Sequence, residues 1–487
     1  MKDKQFYITT TLPYVNAPLH MGHALEFVRA DTVARYKKLM GYDVFFNTGT
    51  DEHGVKIYTK ALEAGLTPQA FVDGGFQTFK EQLKAFGVSE DVHFIRTTDE
   101  KHTRLAQSFW NKVNENGYIY KKNYQTKYCV GCETEKTDSE LVDGKCPDHG
   151  VEPILIDEEN YFFKYSAFAK PLLAFYEKKP TFILPEFRFN EMKAFVERGL
   201  EDISISRRKE KMPWGIPVPG DDEQVMYVWF DALTNYISTL SGDDTETIDQ
   251  LLASDSFKKF WEQGTPTQYC GKDNTRFQGI LWQSMLMAAG VQNSHQIVVN
   301  GHIVADGGVK MSKSLGNVVD PRDIVDEFGT DALRYFLLRE VSSFEDSPFT
   351  KERFLASYNS GLANGLGNLT SRILTLSEKY LPELSVPETK TLPQEFSDHF
   401  ELFDIQKATE YVWHEIGQLD KTIQETEPFK VVKVDEEKGE ALISDLVVRL
   451  SMIAEMLVPI MPETSLTLKA LIKANKKPET PLFLRKE

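Results

Sequence analysis

The chain has 487 residues, 41 % of them hydrophobic, and a formal net charge of −17. That length suggests about three domains and material for several cores, and no apolar run approaches the roughly 18 residues that a membrane span needs. The acidic total excludes a uniformly basic nucleic-acid coat but not local basic patches, which stand at Arg207-Arg208-Lys209, at Lys310–Lys313 and at Lys473, Lys476 and Lys477.

The N-terminus reaches a strand-like stretch, Phe6-Tyr7-Ile8-Thr9-Thr10, within five residues. That start leaves no room for a signal or transit peptide and points to the cytoplasm. Pro13, Asn16 and Pro18 make a loop, and a helical pattern follows over about 22–39. Val44-Phe45-Phe46 reads as a second, buried strand. Strand–helix–strand at this spacing is a βαβ unit, so the fold class is α/β with a Rossmann-like parallel sheet. Ligands bind such sheets beyond the carboxyl ends of the strands. His20-Met21-Gly22-His23 follows the first strand, and Asp51-Glu52-His53-Gly54 follows the second. Both groups therefore fall on the ligand edge.

Residues 1–115 are the first half of this catalytic domain. Residues 116–225 break the pattern with short aromatic segments and are read as a connective insertion. Within it, Cys129-x2-Cys132-x13-Cys146-x2-His149 has the spacing of a structural zinc knuckle, each short pair bracketing a turn. Asp148 competes with His149 for the fourth position. Cys270, the remaining cysteine, reads as a buried thiol.

Buried strands and helices return over 226–315, the second half of the catalytic domain, with strands expected at Met226-Tyr227-Val228-Trp229, Gln268-Tyr269-Cys270 and Gln296-Ile297-Val298-Val299. This half closes on Lys310-Met311-Ser312-Lys313-Ser314 behind Gly307-Gly308, a basic, hydroxyl-bearing loop suited to a departing pyrophosphate. No Walker motif and no Gly-x-Gly-x-x-Gly after a strand is present, which excludes a P-loop ATPase and an ordinary dinucleotide enzyme. Residues 316–355 form a connector. Residues 356–487 carry helical spacing to about 475 and end in a tail, mobile or folded back.

His20-x-Gly22-His23 upstream and Lys310–Ser314 downstream resemble the paired signature of class I aminoacyl-tRNA synthetases. Leu12-Pro13-Tyr14-Val15-Asn16, Thr48–Gly54, Trp214–Pro219 and Tyr227–Tyr236 narrow the resemblance to the methionyl-tRNA synthetase family of the single zinc-knuckle type, over essentially the whole chain. Synthetases for valine, isoleucine and leucine carry a much larger editing insertion. The cysteinyl enzyme uses a catalytic-site zinc with scattered ligands.

The resemblance implies methionine activation with ATP, release of pyrophosphate, and transfer of methionine to the terminal adenosine of tRNA(Met). Its ATP site would comprise His20, Gly22, His23, His302, Lys310, Met311, Ser312, Lys313 and Ser314, with the two histidines and two lysines catalytic. Methionine would contact Leu12, Tyr14, Asp51, Trp229, Ala232, Tyr236, Asn274 and Gln278, with Arg207 and Asp273 in support. Asn274 and Gln278 stand where the family usually has isoleucine and histidine, so the chain departs from the common pocket there. Magnesium would accompany ATP, and one zinc per chain would be structural. Asn368 and Arg372 lie one helical turn apart and read by spacing as partners within the bundle. The resemblance makes them, with Phe429, readers of anticodon bases. A monomer without membrane contact is expected. The rival readings are a non-catalytic tRNA-binding paralogue and a class I synthetase of shifted amino-acid specificity.

Overall fold

The computed structural model describes residues 4–132, 134–305, 307, 319–386 and 391–487. Its centre is a six-stranded sheet. The strand Gln5–Thr9 is flanked on one side by Asp43–Thr50 and then His93–Arg96. On the other side lie Thr267–Gly271, Gln296–Asn300 and the short edge strand Ile183–Leu184. Every pairing is parallel. The order reverses between Gln5–Thr9 and Thr267–Gly271, and such a switch point opens a crevice beyond the strand ends. The edge strand comes from within 116–225, so that segment is stitched into the sheet.

Alternation along the strands sends neighbours to opposite faces. Phe6 and Ile8 enter one core with the helix Met21–Leu39 and with Leu333, Leu369 and Leu450 far downstream. Tyr7, Cys270 and Val299 enter a second core with Phe109 and Trp282. The helical C-terminal region therefore packs on one face of the sheet and continues its core.

Polar clasps lock that packing. The buried Arg29 donates to Asn300 Oδ1 at 2.9 Å and to the carbonyls of Val341, Ser342 and Ser343 at 2.9, 2.7 and 2.9 Å. Arg334 pairs with Asp31 at 2.8 Å, both fully buried, and donates to the carbonyls of Pro459 and Ile460 at 2.9 Å each. A buried guanidinium is costly unless its donors find partners; among the described residues Arg29 Nε alone of these donors lacks one, and the remaining contacts hold connector and bundle in one place on the helix Met21–Leu39.

The insertion builds a four-stranded antiparallel sheet, led by the long pair Ile119–Cys129 and Ile154–Phe163. One expected strand is different in kind. The strand is Asp221–Met226, and Val228–Leu233 is helical, so Trp229 sits on the first turn of a helix. Tyr227, still extended in backbone, is where the chain passes from that strand into the helix. The tail folds back: Tyr358 donates to the Leu484 carbonyl at 3.0 Å, and Asn359 exchanges two hydrogen bonds with the Lys486 backbone at 2.8 and 3.0 Å. Among the described residues no helix is long and apolar enough to cross a membrane.

Candidate active site

His20 precedes the helix Met21–Leu39 in extended conformation and caps it. Its Nδ1 accepts from the Gly22 N–H at 3.1 Å, while its own backbone N–H donates to His23 Nδ1 at 3.3 Å. The rings stack at 3.8 Å. With both Nδ1 atoms accepting, each neutral ring carries its proton on Nε2. Burial first, and then the neighbouring His20, hold His23 well below the usual imidazole range. A Cβ on Gly22 would stand 3.0 Å from His20 Cε1. Glycine here lets the His20 ring fold closely over the turn; a larger residue would make the ring shift by a few tenths of an ångström.

The pair borders a cavity of about 260 Å³ at the switch point, shared with Glu26, Asp273, Asn274 and His302. His302 Nε2 lies 3.3 Å from Asp273 Oδ2, and its backbone N–H donates to Asp346 Oδ1 at 2.9 Å. Burial pushes Asp346 up, but Lys272 at 2.6 Å and the His302 N–H together hold it below the ordinary carboxylate range. Glu26 was not singled out by sequence. It accepts from the Thr11 N–H at 2.7 Å, and burial, opposed by Thr11 and Gly271, pushes it up to about 7.

Leu12, Tyr14, Asp51, Trp229, Ala232 and Tyr236 are the residues expected to meet methionine. Asp51, 2 % exposed, is tied to the Leu12–Tyr14 loop by Asp51 N–H to Pro13 O at 3.0 Å and Val15 N–H to Asp51 O at 3.2 Å. Leu12, Ala232 and Tyr236 are buried, and burial drives the Tyr236 phenol well above its ordinary range. Trp229 stacks on Phe277 at 3.8 Å with 6° between planes. Its Nε1 is buried with no hydrogen-bond partner among the described residues.

Two side-chain networks brace the segments that carry them. Asp231 receives His53 Nδ1 at 2.6 Å on one oxygen and His102 Nε2 at 2.8 Å on the other, and His102 Nδ1 meets Ser238 Oγ at 2.8 Å. Burial raises the Asp231 carboxyl, yet the two imidazoles outweigh it and leave it below its usual range. This chain joins the loop bearing Asp51 to the helices bearing Trp229, Ala232 and Tyr236. The motif blocks contained His53 and Asp231, whereas nothing local marked His102. In the second network Gln278, fully buried, donates to Thr11 Oγ1 at 3.0 Å and accepts from Gln268 Nε2 at 3.3 Å. Gln268 in turn accepts from Ser294 Oγ.

Asn274 and Gln278 are both expected at the methionine pocket. Asn274 faces the cavity of the histidines, and Gln278 is spent on those internal bonds. Asp273 and Arg207 likewise border different cavities. Lys310, Met311, Ser312, Lys313 and Ser314 lie outside the described residues.

In the insertion Cys129, Cys132, Cys146 and His149 bring four ligand atoms within 4.8 Å of one another. Cys132 Sγ lies 3.4 Å from Cys146 Sγ and 3.3 Å from His149 Nδ1, which is 3.9 and 3.8 Å from the Cys129 and Cys146 sulfurs. Ligands of one tetrahedral zinc ion stand ~3.5–3.8 Å apart, so the donor set fits that metal. A Cβ on Gly131 would strike the His149 ring at 2.5 Å. Asp148 Oδ2 lies 3.7 Å from Cys132 Sγ, outside the converging set. Cys270 is fully buried, and burial pushes its thiol well up. In the bundle Asn368 is exposed, Arg372 pairs with Asp420, and Phe429 is 38 % exposed.

The family model for class I tRNA synthetases (M) matches residues 6–153 and 148–374. The chain belongs to the methionyl class I tRNA synthetases. It is accordingly a ligase that activates methionine and charges tRNA with it. Methionine–tRNA ligase of Caldanaerobacter subterraneus subsp. tengcongensis is 43 % identical over 95 % of this chain and 73 % of its own length. That of Clostridium acetobutylicum is 41 % identical over 96 % and 73 %. Mycobacterium tuberculosis methionyl-tRNA synthetase in complex with methionyl-adenylate superposes with a TM-score of 0.89 at 34 % identity, covering 99 % of this chain and 100 % of that one.

Proposed function

We propose that the switch-point crevice seats ATP against the histidine pair and methionine against the adjoining aromatic wall, so that the methionine carboxylate attacks the α-phosphorus and expels pyrophosphate. The observation that carries this reading is the reciprocal capping of His20 and His23. It fixes the orientation of both rings on a cavity at a helix N-terminus, and preorganised groups of this kind stabilise charge that develops in the transition state. Lys310 and Lys313, with Ser312 and Ser314, act on the pyrophosphate, and His302 and Asn274 border the nucleotide. Asp51 receives the substrate ammonium. Leu12, Tyr14, Trp229, Ala232 and Tyr236 line the apolar, polarizable methionine side chain. Magnesium travels with the ATP phosphates rather than in a protein cage.

Cys129, Cys132, Cys146 and His149 hold one zinc ion, which closes the knuckle as a structural site with no position for water. The 2′-hydroxyl of the terminal adenosine takes methionine from the adenylate, while Asn368, Arg372 and Phe429 meet anticodon bases of tRNA(Met) in the cytoplasm. Arg372 exchanges Asp420 for a base on binding, because a half-exposed ion pair costs little to open.

The test is amino-acid-dependent ATP–pyrophosphate exchange with all twenty amino acids, followed by charging of tRNA. Exchange with methionine alone, one zinc per chain by elemental analysis, and loss of charging but not exchange in Arg372→Gln are expected. Exchange with no amino acid would leave a non-catalytic paralogue. Exchange with another amino acid would shift the specificity.

A further inference from the structure

Asn300 ends the strand Gln296–Asn300 and borders the cavity of the histidine pair. It is 3 % exposed. Its backbone is pinned from two directions. It stands opposite Gly271 on the neighbouring strand. A Cβ on Gly301 would fall 2.2 Å from the Glu345 carbonyl, so the connector backbone presses directly on the residue that follows. Asn300 therefore has a fixed place at a strand end, where ligands of parallel sheets bind.

The side-chain amide is fixed as well. Arg29 Nη1 donates to Asn300 Oδ1 at 2.9 Å and to the Ser343 carbonyl at 2.9 Å. Nη2 donates to the carbonyls of Val341 and Ser342 at 2.9 and 2.7 Å. Burial lowers Arg29 to about 10, which leaves it charged at neutral pH. A guanidinium offers donors and no acceptor. The oxygen of Asn300 must therefore face Arg29 and its NH2 group must face away, because the reversed amide would set donors against donors. That NH2 group is buried and has no hydrogen-bond partner among the described residues. Buried polar groups in folded proteins are almost always partnered by protein, water or ligand, and the cavity of about 260 Å³ that Asn300 borders is where such a partner can sit.

We propose that Asn300 is a nucleotide-binding residue whose amide N–H donates to an acceptor on the nucleoside of ATP, either a ribose oxygen or a ring nitrogen of adenine. This rests on the seating of ATP proposed above, in which the phosphates take the helix end at His20 and His23 and leave the strand end to the nucleoside. Arg29 occupies the amide oxygen, so the site presents a donor and no acceptor at this point. A nucleotide that brings a donor there leaves two buried groups unpaired and is discriminated against.

The experiment uses the full chain and the variant Asn300→Asp. The carboxylate keeps the size of the amide and still accepts from Arg29, but the donor is gone. ATP KM and methionine KM are read by methionine-dependent ATP–pyrophosphate exchange, with ATP and with its 2′-deoxy, 3′-deoxy, 1-deaza, 3-deaza and 7-deaza analogues. Asn300→Asp is expected to raise ATP KM about 10-fold, the effect of one buried acceptor deprived of its donor, and to leave methionine KM unchanged. The analogue that lacks the acceptor met by Asn300 should lose about 10-fold with wild type and nothing further with the variant, since both changes delete the same contact. A deoxy analogue behaving so assigns the ribose, and a deaza analogue assigns the base. An unchanged ATP KM in Asn300→Asp overturns the proposal, and so does an equal rise in both KM values. A wild type that handles every analogue like ATP overturns it without reference to the variant's folding. A raised ATP KM coupled to none of the analogues overturns it too, because the donor would then meet something other than the nucleoside. A wild-type chain without methionine-dependent exchange would instead fault the activation reading on which the proposal rests.

Discussion

The two sides of the crevice are held in different ways. On the side proposed for the nucleotide, His20, Gly22 and His23 fix one another within a single turn of chain. On the side proposed for methionine, Asp231 clasps histidines 178 and 129 residues away, and Gln278 reaches Thr11 across 267 residues. A local cap forms with the helix it caps. A long-range clasp forms only when the whole domain has closed. The nucleotide side is therefore expected to tolerate damage elsewhere, while the methionine side should register any loosening between the Asp51 loop and the Trp229 helix.

The largest break in this contrast is His23→Ala. Losing one preorganised donor should lower the exchange rate ~10²–10³-fold with the methionine KM nearly unchanged; a matching rise in methionine KM would refute the division of labour. Next is Asp231→Asn, which keeps shape but weakens both imidazole contacts. Methionine KM should rise on the order of 10-fold as the wall shifts while ATP KM holds, and an equal change in both would mean that the clasp supports the fold as a whole. Asn274→Ile is a smaller and sharper test. Since Asn274 borders the histidine cavity, ATP KM should rise a few-fold, about the worth of one neutral hydrogen bond, and methionine KM should stay; the reverse result would return Asn274 to the methionine pocket.

The smallest effect is on stability. Glu26 has a folded-state pKa pushed up to about 7 from 4.5. Between those values the folded chain keeps a proton that the unfolded chain has shed, so stability declines as pH rises through that window. Glu26→Gln cannot ionise. Its melting temperature should exceed that of wild type most at pH 8, with a ceiling of ~3 kcal/mol, and should converge with it near pH 5. A constant offset at both pH values would show that Glu26 acts by shape alone.

The bulk organisation was legible along the chain because its signals are local. Strand alternation, helical spacing and the cysteine pairs all work over a few residues. The histidine pair belongs to the same class, since capping is a contact between near neighbours. The misread strand at Met226–Trp229 shows the limit of such signals: a short run that is apolar on every side has no period to distinguish strand from helix.

Taken alone, the sequence determined the parallel-sheet class, the place of the crevice at the strand ends, the thiol-rich knuckle and the motif blocks. Only the tertiary structure decided which residues share a wall. It brought His102 to Asp231, tied the buried Gln278 to Thr11 and Gln268, and drew a strand of the insertion into the main sheet. The physical reason is that burial and long-range pairing set these outcomes. A buried polar group must find its partner wherever the packed chain happens to place one, and neither composition nor spacing records that position.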